Sequence, residues 1–492
     1  MSEEREWYGE QAINHDLREQ PHLFMRLAEN ALTVAESLRD NYFKNTSAFV
    51  GTLRRAMVEA EQGRREQILS VRGVADASWA EVRGEVVTFL DGGVGQVEIG
   101  SRVPILLRVG SYSVRVGERR LAAREQFGYY PVILGDLEGG SRDCAGFTDI
   151  VRISAELLGG LSALARTPDL NVLMFHGPLV YTMDTYAGHM PFTEGDIDLL
   201  LRHYAPNPAL GRQLKEDFLR AAALDIYPAM TARSDEWVAR RVFEPVSWIA
   251  FLHRRLMETA RQRRPMPVIA GVVERGSLRQ FSEKVLLARV FRGLRAKGNA
   301  NYFNKMYGRT DLTSPTALLD RLGYHDALLM ALLLQPGEMS EPWPVTKYGG
   351  VREVTVSLPG ESIEESVNFA SLRSPTIGFP RVAGCYVHVA PSTEPIRVEV
   401  YQDLGPEQLD AAARRAYLYA RLLPGYGFPV GLDVVDKYAR VPAWMTEAYG
   451  KMIRYQLGVS LQQGQVGDAE MRRLMVQAIY MNHRDWLFRP TV

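Results

Sequence analysis

The sequence predicts an α/β fold in which a mixed β-sheet is flanked by helices, with a helical N-terminal region and a helical insertion added. Three observations carry that expectation. Strand-length apolar runs, VVTFL at 86–90, NVLMF at 171–175 and PVIAGVV at 267–273, each lie close to Gly, Pro or Asp. Longer stretches between them carry apolar residues at steps of three and four, the spacing of an amphipathic helix. The composition is that of a globular protein: 492 residues, 46% hydrophobic and 24% charged, with 58 basic and 58 acidic side chains in balance.

Taken in order, Phe24, Leu27, Ala31, Val34 and Leu38, then Phe49, Leu53, Met57 and Ala60, give a helical N-terminal region over 1–80. From Gly84 the texture changes. GEVVTFLDGG, GQVEIG and PILLRVGSYSVRV read as three β-rich runs joined by Gly-containing turns. Thr148-Asp149 forms an N-cap candidate before IVRISAELLGGLSALA, and TPDL leads from that helix into NVLMF, so the order is three strands, a helix and a fourth strand. A charged helical insertion occupies about 195–265, with basic runs at Arg240-Arg241, Arg254-Arg255 and Arg261 to Arg264. PVIAGVVE is a further strand, Leu278 to Arg295 is helical, Gly384 to Ala390 and Ile396 to Tyr401 pair as strands, and Glu407 to Leu422 is a helix. A main domain over 81–445 is thus followed by a helical tail at 446–492.

Several classes are excluded by composition. Collagen, disorder and disulfide-rich scaffolds do not fit these figures. Cys144 and Cys385 stand far apart and outside any CxxC pair, which fits a reduced, cytoplasmic location. The acidic start MSEEREWYGE is no secretory signal, and the longest apolar run, Ala327 to Leu334, falls well short of the ~18 to 20 residues that span a bilayer. With zero net charge, nucleic-acid binding would need a local basic cleft.

Three residues could hold a cation. Asp91 ends an apolar strand before two glycines, which would admit a phosphate or a metal; an Asp-Gly pair is also a common hairpin turn. Glu156 borders the apolar stripe Ile150, Ile153, Leu157, Leu161 and Leu164, where it is aimed past the sheet edge or else into solvent. His176 closes NVLMF beside Gly177, as a ligand or as a core histidine donating to a carbonyl. Oxygen and nitrogen donors of this kind suit Mn²⁺ or Mg²⁺. There is no GxxxxGK[ST], HExxH, GxSxG or zinc spacing, and the Gly-rich spots lack the GxGxxG pattern. Basic and aromatic residues mix in RGLRAKGNANYFNKMYGR, where Arg292, Arg295, Lys297, Tyr302, Lys305 and Arg309 are candidates for DNA binding, set against a solvated helix end with its aromatics tucked into the core.

The succession VVTFLDGG, DIVRISAELLGG, LNVLMFHGPL, VIAGVVERGS, YHDALLMALLLQPGEMS, PIRVEVY and GFPVGLDVVDKYARV resembles the NurA family of nucleases from about Arg83 to Arg440. The resemblance implies an RNase H-like core, a homodimer and Mn²⁺-dependent cleavage of DNA, as a 5′ to 3′ exonuclease and single-strand endonuclease. It also implies a partner, a HerA-type hexameric ATPase, with a role in DNA end processing or phage defence. By the same resemblance the family's first aspartate falls on Asp91 and its helix glutamate on Glu156. Its second aspartate falls on His176, within HGPL, and its C-terminal tyrosine-proline and histidine fall on Phe428-Pro429 and Asp436, with Tyr426 nearby. Asp91, Glu156, His176 and Asp436 are therefore the expected metal and catalytic set. The two departures, at His176 and Asp436, also admit a catalytically weakened DNA-binding partner of the ATPase, and a third reading is an RNase H-like protein with another substrate in mobile-element defence.

Overall fold

The computed structural model describes residues 18, 21–62, 67–97, 99, 105–135, 141–179, 192–221, 242–243, 245–345, 353–357, 364–368 and 380–480. The chain forms two compact units, one of Met1–Leu69 with Phe281–Tyr324 and the other of Ser70–Gln280 with His325–Val492.

The first unit is helical. Phe49, Leu53 and Ala60 turn inward from the helix Lys44–Glu61, which packs on the helix Ala288–Ala296. Gly293 makes that approach close, since a Cβ there would stand 2.5 Å from the Ala60 methyl. Tyr324 packs its ring, tilted at 47°, against Phe49 at 5.1 Å and donates its hydroxyl hydrogen to Thr46 at 3.0 Å. The helix Pro21–Ser37 forms where its periodicity predicts, yet it buries none of its residues. Leu27, Val34 and Leu38 lie exposed, so the stripe read as a packing face is open among the described residues.

The second unit is built on strands β1 (Val71–Gly73), β2 (Val86–Gln96), β3 (Ile105–Arg115), β4 (Glu125–Gly135), β5 (Leu170–His176), β6 (Phe192–Thr193), β7 (Val242–Phe243), β8 (Val268–Val273), β9 (Glu338–Ser340), β10 (Trp343–Val345), β11 (Glu353–Ser357), β12 (Glu364–Asn368), β13 (Val382–His388) and β14 (Ile396–Tyr401). A ten-stranded mixed sheet runs β1-β9-β13-β14-β8-β5-β2-β3-β4, with β10 beside β13; β6 pairs β7 and β11 pairs β12 separately. Within it β2, β3 and β4 form an antiparallel meander, while β5 lies parallel to β2 and β8 parallel to β5. The helix Ser141–Arg166 supplies the crossover that a parallel return requires. This order is the RNase H-like arrangement that the resemblance implies, extended by the β14 to β1 half.

Both faces of the sheet are covered. Phe175 points into Gly160 of the Ser141–Arg166 helix, which packs on the helix Pro245–Arg261. Met174, one residue earlier and so on the opposite face, belongs to a core shared with Leu409, Ala413 and Tyr417 of the helix Glu407–Ala420 and with Leu432 and Val435 of the helix Val430–Ala439. Among the described residues no helix is long and apolar enough to cross a membrane.

Some expectations are corrected. VVTFLDGG and the start of GQVEIG are one continuous strand, so Asp91 sits in mid-strand and no hairpin turn begins there. The third strand of the meander is instead β4, EQFGYYPVILG, whose central Pro and Gly mask a strand in the sequence. The helix before β5 starts at Ser141, placing Thr148 and Asp149 inside it rather than at its cap. Helices Glu194–Tyr204, Pro208–Ala221 and Pro245–Arg261 lie in the expected insertion; Arg240-Arg241 falls outside the described residues.

Glycine admits the helix Val430–Ala439 to the sheet. A Cβ on Gly431 would enter the Phe89 ring, and one on Gly93 would enter the Ala439 carbonyl. Gly93→Ala should therefore destabilise the protein by about 1–3 kcal/mol, as overpacking does. Gly458→Ala, in the open interior of the helix Ala443–Gln462, should stabilise it by up to about 1 kcal/mol. Chemical denaturation of both variants checks the pair, and equal midpoints would contradict this account of Gly93.

Candidate metal centre

Strand register sets the site. The parallel pairing of β2 with β5 ends at Leu90 opposite Phe175, so the next residues, Asp91 and His176, emerge side by side. His176 Nδ1 lies 3.3 Å from Asp91 Oδ2, and Asp91 Oδ1 accepts the Gly92 N–H at 2.8 Å. Asp91 is buried and His176 half-buried, with its ring set edge-on to buried Phe428 at 5.4 Å.

The third member comes from the helix Val430–Ala439. Gly110 pairs with Asp91 across β2 and β3, and a Cβ there would stand 3.1 Å from the Ala439 nitrogen. With Gly93 and Gly431 it leaves that helix lying directly on the strands. Asp436 is thereby delivered over Asp91. One donor atom each from Asp91, His176 and Asp436 lies within 4.8 Å of the others. Asp436 also accepts from Arg440 at 3.1 Å, an exposed pair of the kind that contributes little and yields readily to a cation.

Two carboxylates and an imidazole fit a divalent cation that accepts both oxygen and nitrogen. Burial pulls the His176 pKa down, but the hydrogen bond to Asp91 and the charges of Asp91, Asp436 and Glu156 outweigh it and hold the imidazole above its ordinary 6.5. The site thus favours positive charge. An incoming metal competes with that proton, so affinity falls as pH falls through the raised pKa.

Glu156 stands beside this cluster and is engaged elsewhere. Buried, it accepts from Arg152 Nη1 at 2.7 Å, and Arg152 also reaches Asp149 at 3.3 Å. Its Oε1 would lie 2.6 Å from a Cβ on Gly92, whose side-chain direction is opposite to that of Asp91. The two glycines after Asp91 therefore admit Glu156 and the end of a helix, where the sequence suggested room for a phosphate or metal. Tyr426 hydrogen-bonds Asp433; burial first, then that carboxylate, push its phenol up to about 12.

The basic segment belongs to the first unit. It divides into the helices Ala288–Ala296 and Tyr302–Tyr307 around Gly298, at φ +75°. Arg292, Arg295, Lys297, Lys305 and Arg309 are exposed, while Phe303 is buried against Phe291 at 5.2 Å and Tyr302 sits half-buried on Phe303. Arg309 grips Asp311 with two bonds of 2.7 and 2.9 Å, and Arg295 donates to the Thr313 carbonyl at 3.1 Å. In the second unit, Arg263 donates to the Thr167 and Pro168 carbonyls at 3.0 and 2.9 Å, closing the end of the Ser141–Arg166 helix.

Fold and cluster together define a mixed-sheet α/β protein with a cluster of two carboxylates and an imidazole where its parallel strand pairing ends. Residues 268–441, from β8 to just beyond the helix that carries Asp436, match the NurA domain; the chain thus carries a NurA domain, and the resemblance read from its sequence is borne out. No curated protein matches the sequence. Among solved structures the chain is similar to the NurA nuclease from Sulfolobus solfataricus, at 10% identity and a TM-score of 0.45 over 87% of this chain and 98% of that one. It is also similar to NurA with manganese, at 9% and 0.34 over 80% and 95%, and to NurA bound to dAMP and manganese, at 8% and 0.38 over 84% and 94%.

Sequence reasoning missed Arg152, although its spacing of four from Glu156 is the signal for a helical ion pair. It gave Phe428 no contact with His176, for which no local signal exists. An NMR titration of the metal-free protein should place the His176 pKa above 6.5, and Asp91→Asn should lower it. A parent value below 6.5 would mean that burial outweighs the carboxylates.

Proposed function

We propose that this protein is a metal-dependent deoxyribonuclease, a phosphodiester hydrolase that uses Mn²⁺ and, less well, Mg²⁺. The observation that carries the reading is the convergence of Asp91, His176 and Asp436 within 4.8 Å at the end of the parallel pairing, in a chain with a NurA domain. A divalent ion there would activate water and offset charge on the phosphate. Asp91 and Asp436 would hold it through oxygen and His176 through nitrogen, a mixed set that a hard ion preferring oxygen alone accepts less readily. Glu156, held by Arg152, adds negative potential from beside the cluster.

Single-strand endonuclease and 5′ to 3′ exonuclease activity, a homodimer, a HerA-type hexameric ATPase partner and a role in DNA end processing or phage defence are supported by family resemblance alone, and a cytoplasmic location by the two unpaired cysteine positions in the sequence. The exposed basic residues Arg292, Arg295, Lys297, Lys305 and Arg309 are the proposed phosphate contacts, with Tyr302 beside them. One observation favours a second reading, a catalytically weakened DNA-binding partner of the ATPase: Arg152 occupies the Glu156 carboxylate.

Labelled single-stranded DNA incubated with the protein and Mn²⁺, Mg²⁺ or chelator separates the two readings. Cleavage should appear with Mn²⁺ and vanish with chelator, and Asp91→Asn should reduce it by more than about 100-fold, since even outer partners of metal ligands cost 10–100-fold. A parent that binds DNA and never cuts it would establish the weakened partner instead. For the basic segment, Lys305→Ala with Arg309→Ala should flatten the salt dependence of single-strand binding by about 0.7 log units per lost phosphate contact. An unchanged slope would return the segment to a solvated surface.

A further inference from the structure

On the face of the sheet opposite the Asp91 and His176 side chains lies a buried ion pair that the proposed chemistry does not use. Arg397 and Glu399, both on β14, are 5% and 0% exposed and joined by an Nε to Oε1 bond of 2.7 Å. Removing two charges from water is costly, and such a pair seldom adds net stability over apolar residues of the same volume. Its geometry supplies another role. Glu399 Oε2 accepts the backbone N–H of Leu179 at 2.8 Å, and Leu179 is the third residue after His176.

Strand register explains how a β14 side chain reaches the end of β5. Phe175, Gly271 and Glu399 lie in one row across β5, β8 and β14. Gly271 has no side chain between them, and a Cβ there would stand 2.7 Å from the Gly177 carbonyl oxygen and 2.8 Å from the Leu179 nitrogen. The chain leaving His176 therefore folds down onto bare β8 backbone. Gly177, at φ +110°, makes the turn and donates its N–H to the Val272 carbonyl at 2.8 Å. Behind Glu399, Arg397 also bonds Tyr386, which donates to the buried Asp326 carboxylate at 3.1 Å.

We infer that Arg397 and Glu399 are positioning residues that fix the His176 turn from the reverse face of the sheet, and so set the imidazole's place in the cation site. The inference rests on the cation site proposed above. Glu399 holds the N–H, Arg397 fixes the Glu399 rotamer and balances its charge, and the absent side chain at Gly271 gives the turn its seat.

The test uses the full chain and two readouts: Mn²⁺ affinity by calorimetry, and the His176 imidazole resonances of the metal-free protein at fixed pH. Arg397→Met with Glu399→Leu removes both charges together, so no lone charge is left buried, and should fold. It should weaken Mn²⁺ binding by about 10–100-fold, the usual effect of losing an outer partner, and shift or split the His176 resonances. Arg397→Gln with Glu399→Gln keeps an acceptor for the Leu179 N–H and should restore both readouts to near the parent. If the apolar pair does not fold, Gly271→Ala pushes the same turn from β8 and should give the same two changes. Parent-like affinity and resonances in the folded Arg397→Met with Glu399→Leu variant, or in Gly271→Ala, would overturn the inference. A parent that binds no Mn²⁺ would sink the proposed function instead, and the imidazole resonances would still decide the positioning role.

Discussion

Asp91 and Asp436 repel each other, and the rest of the second unit is arranged so that they meet nonetheless. Two unit charges about 5 Å apart cost roughly 3 kcal/mol at an effective dielectric of about 20. Local groups offset little of that cost, since Arg440 pairs with Asp436 at an exposed position and only the Gly92 N–H donates locally to Asp91. Apolar burial around the two aspartates offsets it. Leu432 and Val435 enter the core with Phe89 and Met174, so docking the helix Val430–Ala439 carries Asp436 to its place as a consequence. His176 relieves part of the repulsion by holding its proton more tightly than an ordinary histidine, and a cation would relieve more.

The glycines near the site belong to this same constraint. Gly93 and Gly110 remove side chains from the contact between a helix and two strands, letting backbone approach backbone, and Gly431 makes room for the Phe89 ring. Gly92 does the same on the opposite face for Glu156, and Gly271 for the turn after His176. A ligand site built this way has little slack. The donor atoms depend on main-chain separations, which packed elements hold more firmly than long side chains can.

Part of this was legible in the sequence, and the part that was not has a physical reason. VVTFL announced a strand, but the two glycines after Asp91 read as its end, since glycine is costly in a strand interior; they lie within β2 because Glu156 and a helix pack there, partners remote in the chain. His176 was readable because it closes an apolar run at a glycine. Asp436 was readable only through family resemblance, because the spacing from His176 to Asp436 reflects an excursion through five further strands of the large sheet and carries no periodicity. PIRVEVY misleads more deeply. Alternating charged and apolar residues normally mark a strand with one wet face, yet all six positions of β14 are buried, with Arg397 and Glu399 neutralising each other where the sequence suggests solvent. In β4, an edge of the large sheet among the described residues, Pro131 falls at the irregularity in its pairing with β3, the kind of place where a strand tolerates proline.

The charge pattern around the cluster also links its two proposed ligands. The carboxylates of Asp91, Asp436 and Glu156 are balanced by Arg440, Arg152 and a protonated His176, so the metal-free cluster offers a phosphodiester no net attraction. A divalent cation would supply it. Occupancy by the ion and approach of the phosphate are then thermodynamically coupled, each raising the affinity of the other by the same factor. His176 makes the coupling depend on pH, because the proton it holds must leave before its nitrogen can bind an ion. With an aspartate there, the site would carry one more negative charge and no such proton. At the proposed site the imidazole would therefore lower raw cation affinity and make joint binding of ion and phosphate most favourable above the histidine's raised pKa.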